Sequence, residues 1–241
     1  MLEKKLYINQ LDIRKEVSKL LESAFPIDER PPTKYFFKTL EKKENKLFAY
    51  YHDNTFIGFS FLSFYKDVCY IFFLAVQESY RHQGFGGQIL EDVKKEYSDL
   101  VLLLCYEEVD PKYPNYEERV NRAKFYHSHG FQPNKLKTNE YGVIYETAYI
   151  GSHQVDFTSY QEIFVLGFGE RNRPYIKETW LFSVNNAVSS IASGLFIKGN
   201  NTDNTTGNAK PCAWKSTENN RDDKVLFKWV LFSSVRNNTG N

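Results

Sequence analysis

Apolar residues along the first 170 positions switch between a helical and a strand period, and the switches predict the elements. Residues 5–9 read as a short strand. Asp12 is an N-cap for a helix whose apolar positions, Ile13, Val17, Leu20, Leu21 and Ala24, recur at helical spacing until Pro26 closes it. The polar, proline-stiffened run 27–32 leads to a second helix carrying Tyr35, Phe36, Phe37 and Leu40. Three strands follow at 46–52, 55–65 and 68–76, joined by turns at Asp53-Asn54 and Lys66-Asp67. The third, VCYIFFLAV, is apolar on both faces, as befits a strand at the centre of a sheet. A helix to about Tyr97, a buried strand at 100–105, a helix at 116–129 closed by Gly130, and a hairpin of 141–150 with 160–168 complete the set. The order β-α-α-β-β-β-α-β-α-β-β predicts an α+β domain, not a repeated βαβ wind.

Composition narrows the class. The chain has 241 residues, and its 41% hydrophobic and 17% aromatic content suffices for a core. A net charge of +1 supplies no field for nucleic acid or an acidic membrane surface. The first residues contain no apolar run of signal-peptide type, and no stretch reaches the length of a membrane span, so a soluble, cytoplasmic protein is expected. Cys69, Cys105 and Cys212 form no C-x-x-C pair, which argues against a disulfide framework or a metal site.

A compositional seam lies near residue 170. Sixteen of 17 tyrosines precede it and all three tryptophans, Trp180, Trp214 and Trp229, follow it. Residues 1–170 carry −4 and residues 171–241 carry +5, and 12 of 19 asparagines fall in the last 71 positions. Residues 199–208 have no apolar side chain and read as loop, while 225–235 suits a strand or a helix. The sequons at Asn200, Asn204 and Asn237 are read as chance in an Asn-rich run. The expected division is a domain at 1–170 and an Asn-rich, weakly basic extension at 171–241, with a chain cut after Glu170 still folding and binding its ligand.

The chemistry concentrates in Arg81-His82-Gln83-Gly84-Phe85-Gly86-Gly87-Gln88, between the central strand and a helix. Glycines allow positive φ and close approach, so the amides of residues 83–88 converge at a helix N-terminus, where an anion such as a phosphate is favoured. Arg81 adds a fixed positive charge. The bland reading is a tight turn with a solvated arginine. A P-loop needs Lys-Ser or Lys-Thr after the glycines, and none is present. A dinucleotide fingerprint matches in part, which keeps an NAD-binding oxidoreductase as an alternative.

Leu74-Ala75-Val76, then Tyr80-Arg81-x-x-Gly84-x-Gly86-Gly87 opening a helix, resembles the acetyl-CoA signature of the GCN5-related N-acetyltransferase (GNAT) superfamily, [QR]-x-x-G-x-[GA]. Asn121-x-Ala123-x-Phe125-Tyr126, then Gly130-Phe131, resembles the family's later helix and the strand after it. The resemblance covers about residues 4–168. It implies a central mixed, mostly antiparallel sheet flanked by helices, with the tail atypical. It implies acetyl-CoA as co-substrate without a metal, and an amine acceptor as the other partner; the oligomeric state, a homodimer included, stays open. Leu74, Ala75 and Val76 would pair with pantetheine. The turn of Arg81, His82, Gln83, Gly84, Phe85, Gly86 and Gly87 would hold the pyrophosphate, with Asn121 a further contact. Tyr126 would protonate the departing thiolate. The split strand carries no acid, so Glu29, Glu107 and Glu108 are the candidates for a base, against their reading as surface carboxylates. A module that binds acyl-CoA without turnover is the other alternative.

Overall fold

The computed structural model describes residues 2–25 and 30–179. Glu29 and the expectations for residues 180–241 lie outside the described residues. Eight strands form one sheet in the order β1-β2-β3-β4-β5-β7-β6-β8, with β1 at Leu2–Leu6, β2 at Asn45–His52, β3 at Thr55–Tyr65, β4 at Val68–Val76, β5 at Val101–Glu107, β6 at Gln132–Glu140, β7 at Val143–Ile150 and β8 at Ile176–Thr179. Neighbours are antiparallel except β4 and β5. This is the mixed, mostly antiparallel sheet expected, and it lacks the parallel βαβ wind that the dinucleotide alternative requires.

Each face of the sheet buries its own helices. On one face α1 (Leu11–Ala24), α2 (Thr33–Thr39) and α5 (Phe157–Phe168) meet the rings of Phe59, Phe61, Tyr70, Phe72 and Phe73. On the other, α3 (Phe85–Glu96) and α4 (Tyr116–Ser128) cover Ile71, Leu74, Val76, Leu102, Leu104 and Tyr106. Strand alternation explains the division, since successive side chains of β5, and of β4 except at Phe72 and Phe73, point to opposite faces.

Several elements differ from the sequence reading. β1 begins at Leu2, and α1 begins at Leu11, so Asp12 lies in its first turn instead of capping it. The hairpin consists of β6 and β7 around Tyr141-Gly142. β6 escaped notice because three of its four inward residues, Asn134, Thr138 and Glu140, are polar, with only Leu136 apolar. Residues 160–168 are helical, not a strand. Asp156 caps α5 by accepting from the Ser159 N–H at 2.7 Å, and Gly169 at φ +105° ends it. Gly167 lets α5 lie against β3, since a Cβ there would sit 2.6 Å from Ser63 Oγ. Its last carbonyls are met by Lys42, which donates to Leu166 C=O, and Asn45, which donates to Gly167 C=O.

Order also continues past the seam. Asn172 is buried and donates to Phe168 C=O and Gly169 C=O, Tyr141 bonds its side chain, and β8 pairs with β6 from Ile176. A cut after Glu170 would therefore remove β8 from the sheet together with the buried Asn172.

Candidate active site

β4 and β5 are paired only at Val68↔Val101, Cys69↔Leu102 and Tyr70↔Leu103, yet β4 runs on to Val76 and β5 to Glu107. Past Tyr70 the two central strands part. The cause is local. β3 pairs Phe61 with Phe73 but Leu62 with Ile71, so Phe72 is an extra residue in β4, a β-bulge that turns the strand. The Phe72 ring is held 4.2 Å from Phe168 and 5.1 Å from Phe164, centroid to centroid. Leu74 and Val76 on one strand, and Leu104 and Tyr106 on the other, wall the gap on the α3/α4 face.

β4 ends in the glycine turn. His82 at φ +59° and Gly84 at φ +83° bend the chain so that Gly84 becomes the N-cap of α3. The Gln88 N–H makes the helix's bond to Gly84 C=O, which leaves the amides of Phe85, Gly86 and Gly87 in the first turn without an intrahelical acceptor. Phe85 anchors the turn by its buried ring, between His52 at 5.2 Å and Tyr80 at 5.9 Å. His82, Gln83 and Gly84 are exposed, and Gln83 closes the preceding bend by donating to Ser79 C=O. Arg81 Nε donates to Val76 C=O at 3.1 Å, so that carbonyl already has one partner, and burial lowers the guanidinium's pKa. The turn thus offers backbone donors and positive dipole at one end of the gap.

Tyr126 lies at the other side of the gap, stacked on Tyr106 at 6.0 Å and 21° and flanked by Phe125 and Phe131. It is fully buried, and its hydroxyl has no hydrogen-bond partner among the described residues. An unpartnered buried hydroxyl costs about 1–3 kcal/mol. Such an atom beside a strand gap fits a ligand that would receive the bond. Burial pushes the phenol's pKa well up, so it is protonated at neutral pH. Asn121 is exposed on α4, about 140° round the helix from Tyr126, so the two do not converge.

The candidate bases are committed elsewhere. Glu107 is buried, with Oε1 2.6 Å from Arg119 Nη2 and Oε2 2.6 Å from Arg122 Nη1. Glu108 pairs with Lys112 and Lys137 and accepts from Tyr113; these bonds hold its pKa down against burial. Neither is a free base. Cys69 and Cys105 are buried thiols whose pKa values burial raises, which makes them inert. Sequence reading missed Glu140, fully buried at the end of β6 with its pKa pushed up to about 7 by burial. Its Oε1 accepts from Thr138 and Tyr160, while Oε2 has no partner among the described residues. The signal available was its place in an alternating run, at a position where β6 turns inward. No group of three or more His, Cys, Asp or Glu side chains suited to a metal forms among the described residues, and no described helix is long and apolar enough to cross a membrane.

Residues 43–133 match the family model of the Acetyltransferase (GNAT) domain. Solved structures that share the fold include three acetyltransferases of this kind. One is an aminoglycoside 6'-N-acetyltransferase complexed with coenzyme A, with 15% identity and a TM-score of 0.51 over 62% of this chain and 96% of that one. The ribosomal-protein-S18-alanine N-acetyltransferase of Escherichia coli gives 15% and 0.50 over 64% and 97%. A Bacteroides thetaiotaomicron protein of the GNAT family gives 18% and 0.56 over 68% and 98%. No curated protein matches the chain in sequence.

Proposed function

Because this chain belongs to the GNAT acetyltransferases, we propose that it transfers an acetyl group from acetyl-CoA to a primary amine by direct attack. The observation that carries this reading is the parted β4–β5 pair with the unbonded Tyr126 hydroxyl beside it. The backbone of Leu74, Ala75 and Val76 accepts the pantetheine arm as an added strand. The amides of Phe85, Gly86 and Gly87, with Gly84 shaping the bend, bind the pyrophosphate. Arg81 contributes charge and fixes the end of β4 through Val76. His82, Gln83 and Asn121 lie exposed, and their part is at most peripheral contact with the nucleotide end.

In the reaction the neutral amine forms a bond to the acetyl carbon as the carbon–sulfur bond breaks. The thiolate takes the Tyr126 proton, and the amine sheds its own proton to water. Burial supports that role for Tyr126 by keeping the phenol protonated. The domain is proposed to lie within the first part of the chain, with the Asn-rich extension after it.

The test is CoA release with acetyl-CoA and a panel of amines spanning aminoglycosides, polyamines and peptides with free N-termini. Turnover with at least one acceptor is expected. A second reading, binding of acyl-CoA without turnover, draws on the engagement of both Glu107 and Glu108 in ion pairs. It predicts saturable binding and no release above hydrolysis with any acceptor.

A further inference from the structure

Arg122 and Tyr126 stand four residues apart on α4, hence on one face of the helix, and both are buried, at 2% and 0% exposure. A guanidinium on the inner face of a helix is costly unless it is paired. Here the partner comes from the strand beneath. Glu107, the last residue of β5, takes Arg122 on Oε2 and Arg119 on Oε1, each at 2.6 Å. Arg119 is fixed in turn by Asn115 Oδ1 at 2.8 Å, by Glu108 C=O at 2.9 Å and by the face of Tyr113 at 3.7 Å. The parting strand β5 and the helix that carries Tyr126 are therefore clamped together one turn away from the phenol.

We propose that Arg122, anchored by Glu107, is a positioning residue for Tyr126. It holds the phenol over the strand gap and sets a positive charge beside the oxygen that becomes anionic when the proton leaves. The inference rests on Tyr126 as the proton donor to the thiolate. The donated proton goes to sulfur, the negative charge passes to the phenolate oxygen, and Arg122 stabilises that charge until the phenol is reprotonated from water. Burial alone drives the phenol towards being too weak an acid, and Arg122 acts in the opposite direction. A clamp serving stability alone has no need of charge, since a buried ion pair is often replaceable by apolar residues at little cost.

A double-mutant cycle tests this in the full chain, with acetyl-CoA and the best amine of the panel. Arg122→Met is expected to lower kcat about tenfold or more with the KM for acetyl-CoA within about twofold. Arg122→Lys, which keeps the charge without the planar fork, should recover part of that loss. In a Tyr126→Phe background, Arg122→Met should lower kcat no further. Thermal melts and calorimetric acetyl-CoA affinity check folding. Should Arg122→Met fail to fold, Arg119→Met/Glu107→Leu/Arg122→Met, an apolar replacement of the whole cluster, takes its place in the cycle with the same expectation.

Equal losses from the arginine substitution with and without the tyrosine hydroxyl would overturn the proposal, as would an Arg122→Lys enzyme no better than Arg122→Met. Failure of the underlying reading looks different. There, Tyr126→Phe by itself would keep full kcat.

Discussion

The two ends of the β4–β5 pair are built from the same kind of residue and behave differently. At one end Val68, Cys69 and Tyr70 are laddered to Val101, Leu102 and Leu103. The Tyr70 hydroxyl there meets Tyr160, which bonds Glu140, so side chains extend the closure beneath the sheet. At the other end, past the Phe72 bulge, Leu74 to Val76 face Leu104 to Glu107 without a ladder, and Tyr126 waits with an unbonded hydroxyl. Apolar burial is complete at both ends, so hydrophobicity does not decide which end opens. One extra residue in β4 does, with the rings of α5 holding it in place.

Breaking the open end chemically should give the largest effect. Tyr126→Phe is expected to lower kcat about 100-fold or more, within the range for loss of a general acid, with little change in the KM for acetyl-CoA. The same change should raise the melting temperature slightly, because it deletes a buried hydroxyl that has no partner among the described residues.

The closed end is addressed by Glu140→Gln. The Glu140 carboxyl holds its proton to about pH 7 when folded, against an ordinary value of 4.5. Between those values the unfolded chain has released the proton and the folded one has not, so this group's contribution to stability falls as pH rises through the window. The full loss is up to about 3 kcal/mol. Denaturant melts from pH 4.5 to 8 should show that decline in the wild type relative to Glu140→Gln. Parallel curves for the two proteins would refute it, and acetyl-CoA affinity at pH 8 should be similar in both.

Removing the brace behind α5 comes next. A chain cut after Glu170 loses Asn172, the Arg173–Glu162 pair and β8, and is expected to melt several degrees lower than the intact chain. Equal melting temperatures would mean that residues 171–179 contribute nothing to the fold. The smallest effect is at the turn. Gly84→Val forces a β-branched residue to φ +83°, and should weaken acetyl-CoA binding about tenfold by calorimetry while the fold persists. Cys69→Ala at the laddered end should leave that affinity unchanged.

The sequence made much of this arrangement legible, for reasons that differ from residue to residue. β4 and the glycine turn stand out because an all-apolar run and a φ-demanding glycine are both visible in one dimension. Tyr126 is singled out only by its resemblance to a motif, since a helical wheel clusters Tyr116, Val120, Ala123 and His127 with Tyr126 at their flank, whereas the buried face of α4 carries Arg119, Arg122 and Tyr126. The inward polar residues of β6 hid that strand, and the unbroken apolar run of residues 163–168 hid the helical period of α5, although Asp156 and Gly169 mark its ends. The parting of β4 from β5 has no sequence signature of its own. It arises from pairing register, a relation between strands that are distant along the chain. Glu107 shows the same limit, because its two arginine partners lie 12 and 15 residues away on a helix.

Hydrogen–deuterium exchange with and without acetyl-CoA tests the central claim most directly, since it reads both ends of the strand pair in one experiment. Slowed exchange is predicted in peptides spanning residues 72–76 and 83–88, with no change across residues 68–70. Protection that is absent from both segments at saturating acetyl-CoA, or that falls on the laddered end instead, would contradict the account.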